Sequence, residues 1–424
     1  MKNLSPSEME SADSPLVQQH TATDNTQAKW RQLLLLPDDA NVSVLEPQVG
    51  SLSGSQTVIS IDGRSIVEFR PLPREVALVV SAVNTPFEKE NTVPRFPVLE
   101  LSPVTGSNIR AISIANFWAC IYGLWTLLHT QEYIPIVLSH SFANADDLEH
   151  YLLYSGLGRK ALDAEIVDEI FLDRGTFWSG AGVGSAWGVE RGWMCDSLYA
   201  ERAASFPLTH SFTRTSTVIT QHPLRPPKPA LGSCIYRRFC TTVGKTLTFH
   251  AFDPEDPLHV DAFHEWQNSE RVAKGWNERG SMEHHRQYIQ GVTDDPGTLP
   301  FLMSWDDELM GYGEFVWTKE NHVAPYIPGG AWDYDRGVHV LVGEEKFRGR
   351  AYSQAWFRSA THYMFLADPR TQRNICEPKR SNPAILRVMS DAGMHVETSF
   401  YFPYKQSALT MNLRERFFKE DMLL

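Results

Sequence analysis

Four of the twelve residues at 221–232 (Q-H-P-L-R-P-P-K-P-A-L-G) are proline. Proline fixes its own φ and removes a backbone donor, so neither a helix interior nor a central strand tolerates this density. The stretch predicts an extended linker without regular structure. It divides a 424-residue chain, too long for one ordinary core, into domains expected at 31–232 and 233–424. Residues 1–30 are rich in Ser, Thr, Gln and Asp, show no basic-then-apolar leader pattern, and read as disordered.

Charge removes several function classes. The formal net charge is −12, which argues against a nucleic-acid partner, because a phosphate backbone needs a basic face. One small basic pocket for a phosphorylated cofactor stays open. The longest apolar run, 111–128, contains Asn116 and barely reaches spanning length, so it reads as a buried helix and no membrane partner is expected. Cys120, Cys195, Cys234, Cys240 and Cys376 never stand in C-x-x-C spacing, which favours a reducing compartment. The last residues, Met422, Leu423 and Leu424, do not match the Ser-Lys-Leu peroxisomal address, so the cytosol is preferred. His259, His264, His284 and His285 form no H-E-x-x-H and have no cysteine partners; no metal is expected.

Apolar periodicity gives the element order. Before the linker, strands are predicted at 57–61, 66–70, 76–83 and 97–101, then a helix at 109–129, a strand at 133–138 and a helix at 145–155. The glycine-rich segment 179–188 lacks the G-x-G-x-x-G spacing and reads as a loop. After the linker come strands at 235–240 and 247–252, helices at 257–268 and from 281, and strands at 299–305, 308–317 and 337–342. A helix at 351–366, a strand at 373–377, a helix at 383–392 and a strand at 395–402 complete the order. Both halves read as α/β on a mixed sheet.

The segment 337–351, G-V-H-V-L-V-G-E-E-K-F-R-G-R-A, is the most informative. A strand runs into a basic loop that opens an amphipathic helix. Backbone N–H groups and the helix dipole at such a start suit a pyrophosphate. Gly349 permits close backbone approach, and Arg348 and Arg350 could neutralise charge. Solvated arginines at an ordinary helix start fit the residues equally well.

The order of elements resembles the GNAT N-acetyltransferase fold. Its acyl-CoA loop, Gln/Arg-x-x-Gly-x-Gly/Ala, falls on Lys346, Gly349 and Ala351, with Lys346 where the pattern has Gln or Arg. Five segments, in order, are similar to the siderophore acyltransferases. They are F-H-E-W-Q-N-S-E-R-V-A-K-G-W-N (263–277), Y-G-E-F-V-W (312–317), D-Y-D-R-G-V-H-V-L-V-G (333–343), F-R-G-R-A (347–351) and E-P-K-R-S-N (377–382). The fungal hydroxyornithine transacylase branch fits best, since it carries an N-terminal extension of this size.

The resemblance implies an acyl-CoA-dependent N-acyltransferase that acylates hydroxyornithine to a hydroxamate for siderophore biosynthesis and iron acquisition. Hydroxylysine or another amine, and a non-catalytic acyl-CoA-binding scaffold, are the alternatives. It implies His339 and Glu377 as the catalytic pair. An imidazole titrates near neutrality and can take a proton, and a carboxylate can orient it. Cofactor contacts are expected from Val340, Leu341, Val342, Lys346, Arg348, Gly349, Arg350, Ala351 and Asn382, with Asn382 equally readable as a helix cap. Substrate contacts are expected from Asn268, Trp276, Glu314 and Trp317. Acetyl-CoA and anhydromevalonyl-CoA both stay open as donors, and so does a homo-oligomer. The N-terminal half reads as a degenerate copy of the same fold. Its loop P-V-T-G-S-N (103–108) has only Arg110 as a nearby cation, so it is expected not to bind CoA. It would instead cover the catalytic domain, shape its pocket or mediate oligomerisation.

Overall fold

The structure is a computed structural model that describes residues 30–45, 56–77, 84, 86, 95–161, 168–196 and 209–424. The disorder expected of 1–30 therefore falls, apart from Trp30, outside the described residues, as does the 78–83 part of one expected strand.

Among the described residues two eight-stranded sheets organise the chain. The first holds β1 (Trp30–Leu35), β2 (Asn41–Leu45), β3 (Thr57–Ile61), β4 (Arg64–Ala77), β5 (Arg95–Pro103), β6 (Tyr133–Leu138), β7 (Gly158–Lys160) and β8 (Ile170–Asp173). A separate hairpin pairs β9 (His210–Arg214) with β10 (Ile219–Pro223). The second sheet holds β11 (Cys234–Cys240), β12 (Lys245–Ala251), β13 (Thr298–Trp305), β14 (Glu308–Trp317), β15 (Arg336–Val342), β16 (Arg373–Cys376), β17 (His395–Phe402) and β18 (Lys405–Leu413).

The two orders are identical: β1-β2-β3-β4-β5-β6-β8-β7 and β11-β12-β13-β14-β15-β16-β18-β17. Each sheet has one parallel pair, β5/β6 and β15/β16. A parallel pair needs a crossover, and each crossover is a long helix: α1 (Ile114–Leu127) in the first half and, in the second, Arg350–Ala367. The first half adds α2 (Ala145–Ser155) and α3 (Arg174–Trp178). The second has α4 (Pro257–Asn268), α5 (Glu270–Trp276) and α6 (Met282–Asp294) between β12 and β13, then α7 (the Arg350–Ala367 crossover), α8 (Pro383–Asp391) and α9 (Arg414–Lys419). The chain is thus a repeated mixed-sheet fold, the second copy carrying three extra helices that cover one face of its sheet.

Local chemistry explains most boundaries. Asp256 accepts a hydrogen bond from the Leu258 amide at 2.9 Å and Pro257 occupies the first turn, so α4 begins there. Ser281 does the same for α6, accepting from the His284 amide at 3.2 Å. Asp306 and Asp307 adopt φ of 47° and 66°, the left-handed pair that a tight β13–β14 hairpin demands. From Met310 on, β14 is buried on both faces, which is why it reads as a continuous apolar run.

Several elements depart from the sequence reading. The strands expected at 66–70 and from 76 are one strand, β4. The polar segment at 270–276 forms α5, started by Ser269, whose hydroxyl accepts from the Val272 amide. β18 was not anticipated; its buried Ser407, Thr410 and Asn412 hid a central strand behind polar residues. The 221–232 segment begins inside β10 and is docked on the second domain. There Arg225 is buried and bidentate to Glu320 (2.6 Å to each oxygen), and Lys228 Nζ donates to the Val292 and Thr293 carbonyls.

The two copies share one core. Trp118, Tyr122, Phe177, Trp178 and Trp193 from the first half interlock with Tyr236, His362, Phe417 and Phe418 from the second. His362 is fully buried; its Nδ1 accepts from the Tyr236 hydroxyl at 2.9 Å and its Nε2–H donates to the Trp178 carbonyl at 2.7 Å. Burial holds its pKa down at about 3, so the ring is neutral and both nitrogens are satisfied. Met194 also bridges to Tyr236 at the edge of β11. Among the described residues no helix is long and apolar enough to cross a membrane.

Candidate active site

Alternation along β14 and β15 sorts side chains between two faces. Tyr312 and Leu341 pack with Val260, Phe263, Val272 and Ile289 under α4–α6, whereas Phe315 and Val338 pack in the core that contains Tyr363 of α7. Glu314 pairs directly with His339 in the β14–β15 register, so both side chains project to the α4–α6 face. The parallel register Arg336↔Asn374 then brings Glu377, just past β16, alongside His339.

His339 stands between two carboxylates. Its Nδ1 lies 3.1 Å from Glu314 Oε2 and its Nε2 lies 3.5 Å from Glu377 Oε1. Glu314 is itself fixed: its Oε1 accepts from the Tyr288 hydroxyl at 2.7 Å and the Tyr312 hydroxyl at 2.9 Å. Glu377 faces Lys405, whose Nζ is 3.5 Å from Oε2 and donates to the Glu377 carbonyl at 3.1 Å. His322 Nε2 approaches Glu377 Oε1 at 3.6 Å from the other side.

This arrangement sets the protonation states. Burial works against a charged His339, but Glu314 and Glu377 outweigh it and hold the pKa up at about 10. Burial likewise opposes the Glu377 carboxylate, and His339, Lys405 and His322 outweigh it, taking it down to about 2. Glu314 is lowered by His339 and the two tyrosines against the same burial cost. At neutral pH the centre is therefore carboxylate–imidazolium–carboxylate. The sequence points to one carboxylate partner; the structure gives the ring two, and together they favour a resting imidazole that already carries its proton.

The sheet opens beside this centre. β15 pairs with β16 only at Arg336↔Asn374, although β15 continues to Val342. On the other side of β15, the Thr318 amide donates to the Asp335 carbonyl at 2.9 Å and the Gly343 amide to Met310 at 2.8 Å. Peptide groups alternate along a strand, so odd positions bond β14 and even positions face the gap. The Val338 and Val340 carbonyls do face it, and Val340 accepts from Trp276 Nε1 at 3.4 Å. Val340 and Val342 thus offer amides to the opening. Leu341 does not: its peptide turns to β14 and its side chain is core.

After β15 and its loop, α7 opens behind its cap residue Gly349, which has φ 118° and offers no side-chain cap, leaving a helix mouth of amides without a side-chain partner. The first half lacks both features. There β5 and β6 stay zipped over Leu99↔Ile136, Glu100↔Val137 and Leu101↔Leu138, and the Ser113 hydroxyl caps α1 by accepting from the Asn116 amide. A buried carboxylate, Glu68, faces Ser102 across β4 and β5, but its oxygens are taken by Gln56, Ser102 and Thr105, and among the described residues no imidazole bonds it.

Residues 256–402 match the acetyltransferase (GNAT) domain family. An acyltransferase of Omphalotus olearius is 39% identical over 315 residues, which cover 74% of this chain and 78% of that protein. A hydroxyornithine transacylase of Ajellomyces capsulatus is 33% identical over 351 residues, covering 79% of each. An N(5)-hydroxyornithine:cis-anhydromevalonyl coenzyme A-N(5)-transacylase of Beauveria bassiana is 35% identical over 346 residues, covering 74% of each.

The chain belongs to the siderophore acyltransferases of the GNAT superfamily. It is an acyl-CoA-dependent acyltransferase.

Within this siderophore acyltransferase the remaining expected residues divide. Trp276 is at the opening, with its ring 5.7 Å from Tyr312. Glu314, expected as a substrate contact, stands beside His339 with each of its oxygens engaged inside the protein. Trp317 is corrected. Three residues beyond Glu314 it lies on the opposite face, clamped between the guanidinium groups of Arg225 (4.2 Å) and Arg336 (4.1 Å). Asn268 braces a loop instead of lining the centre, bonding the Gly280 amide and carbonyl at 3.1 and 3.0 Å. Asn382 is the cap of α8, accepting from the Ile385 amide at 3.3 Å.

In the basic loop every expected cation has an acidic neighbour: Lys346 bonds Glu308, Arg348 bonds Glu345 at 2.7 Å, and Arg350 bonds Asp391 at 3.2 Å. All three are exposed, so these surface pairs are weak and exchangeable. Ala351 is exposed in the first turn of α7. Among the described residues no cluster of three His, Cys, Asp or Glu side chains suits a metal ion. Tyr288, Tyr312, Lys405 and His322 were missed. Alternation could have placed Tyr312 beside Glu314; the others come from distant elements and leave no signal in spacing.

Proposed function

We propose that this enzyme transfers the acyl group of an acyl-CoA to the hydroxylated side-chain nitrogen of hydroxyornithine, giving a hydroxamic acid for siderophore assembly. The observation that carries the proposal is the position of the His339 imidazole, between Glu314 and Glu377 at the edge of an opening in the sheet. The amides at the start of α7 and those of Val340 and Val342 fit a pyrophosphate and an amide-bearing arm laid along the gap. A hydroxylamine nitrogen is less basic than an alkyl amine, so it reaches the centre neutral and nucleophilic. The enzyme's task is to orient it, to stabilise the tetrahedral oxyanion and to manage two protons. One leaves the attacking nitrogen. The other must reach the departing sulfur, and His339 is charged and able to supply it.

Three features support a non-catalytic first half: its zipped β5–β6 pair, its capped α1 and, among the described residues, the absence of an imidazole bonded to Glu68. Its fused aromatic core supports a role in bracing the second half.

The test is thiol release from acetyl-CoA and from anhydromevalonyl-CoA, each with hydroxyornithine and hydroxylysine as acceptors. His339→Ala is expected to lower kcat by about 100-fold or more, the scale for loss of a proton-transfer residue. Folded His339→Ala with unchanged turnover would remove His339 from the mechanism. Faster release with hydroxylysine would move the acceptor assignment.

A further inference from the structure

The Glu377 carboxylate is shared by two histidines. Its Oε1 lies 3.5 Å from His339 Nε2 and 3.6 Å from His322 Nε2. His322 arrives from the loop after β14, between short helical turns at Thr318–Glu320 and Ala324–Tyr326. Its ring rests against Phe402 at 4.9 Å, and its Nε2 is also 3.4 Å from the Tyr404 hydroxyl. The His322 side chain is 35% exposed and Tyr404 is 69% exposed. A continuous line of titratable groups thus runs from His339 through Glu377 to His322, Tyr404 and solvent.

This line answers a difficulty in the chemistry. The attacking nitrogen must lose a proton, and His339 already holds one. Glu377 adjoins His339 but is a weak base, because three cationic or imidazole neighbours stabilise its charged form. Its proton needs a better acceptor behind it.

We propose that His322 is that acceptor, a positioning and proton-storing residue that acts through Glu377. The inference rests on the acyl-transfer reading above. The nitrogen lone pair forms the C–N bond, and the C–S bond breaks with its electron pair on sulfur. The N–H proton passes to Glu377 Oε1 and on to His322 Nε2. His339 gives its own proton to the thiolate, releasing the thiol. His322 then returns its proton through Glu377 to His339, and the cycle closes with no net proton gained or lost. The groups facing His322 are Glu377, His339, Lys405 and Tyr404. Burial lowers its pKa, and His339 and Lys405 lower it further against the opposing pull of Glu377, which keeps the ring neutral at pH 7 and ready to accept.

The experiment uses the full chain, acyl-CoA and the hydroxylated amine, with thiol release followed from pH 5 to 9 in His322→Gln and the unaltered enzyme. Glutamine keeps a polar contact to Glu377 but stores no proton. The expected result is a kcat about 10- to 100-fold lower, KM for both substrates nearly unchanged, loss of the acidic limb of kcat, and partial recovery with added imidazole. Wild-type kcat and pH profile in His322→Gln would overturn the proposal. So would a lower kcat with the acidic limb intact and no imidazole rescue, since that pattern belongs to a packing role. If the unaltered enzyme releases no thiol with any hydroxylated amine, the acyl-transfer reading fails and the relay falls with it. If it turns over and His322→Gln matches it, the relay alone fails.

Discussion

Replacing Glu314 with glutamine removes one of the two charges that hold the proton on His339 while keeping the shape of the site. The Tyr288 and Tyr312 hydroxyls can still donate to the amide oxygen, so the side chain stays in place. The imidazole pKa sits at about 10 with both carboxylates present. A neighbouring opposite charge moves a pKa by about 1–3. Glu314, at 3.1 Å, is nearer than Glu377 at 3.5 Å, so its loss is expected to bring the midpoint down to roughly 8.

If His339 must be protonated to deliver its proton to sulfur, the alkaline limb of kcat follows that midpoint downward in Glu314→Gln. Histidine-ring NMR titration and the pH dependence of thiol release measure the two quantities independently. The linkage has a definite sign. The folded pKa lies above the unfolded value, so the contribution to stability is complete below about pH 6.5 and is lost as pH rises to about 10. In Glu314→Gln that window contracts to end near pH 8. A wild-type ring that titrates near 6.5, or an alkaline limb that stays put in the variant, would refute the reasoning.

Three further outcomes are expected. Gly349→Val places a side chain at φ 118°, where the backbone resists it although the space beyond is open. KM for acyl-CoA should rise by about 10-fold with little change in kcat, and an unchanged KM would remove the α7 mouth from cofactor binding. Calorimetric titration should give one acyl-CoA site per chain, because the first half has its sheet gap closed and its helix mouth capped; two sites would show that the closed gap opens. Trp178→Ala should cost about 3–5 kcal/mol and shift a single melting transition for both halves, because Trp178 is buried in the shared core. Two separate transitions would show the halves to be independent.

Local chemistry determined much by itself. Alternation, caps and turn residues placed most strands and helices of the second half, and 337–351 announced its strand, its glycine and its helix start. His339 and Glu377 could be named from their motifs, and the register confirms that they meet. Tertiary structure alone decided the charge of that histidine. A pKa depends on what lies within a few ångströms, and Glu314, Tyr288, Lys405 and His322 reach the site from four separate elements. It also decided the face of Trp317, because a shift of one residue along a strand turns a side chain through the sheet. The fate of the linker followed the same logic: prolines forbid a helix, but tertiary partners, among them Glu320, the Asp333 carbonyl and the carbonyls of α6, determine where an extended segment lies down.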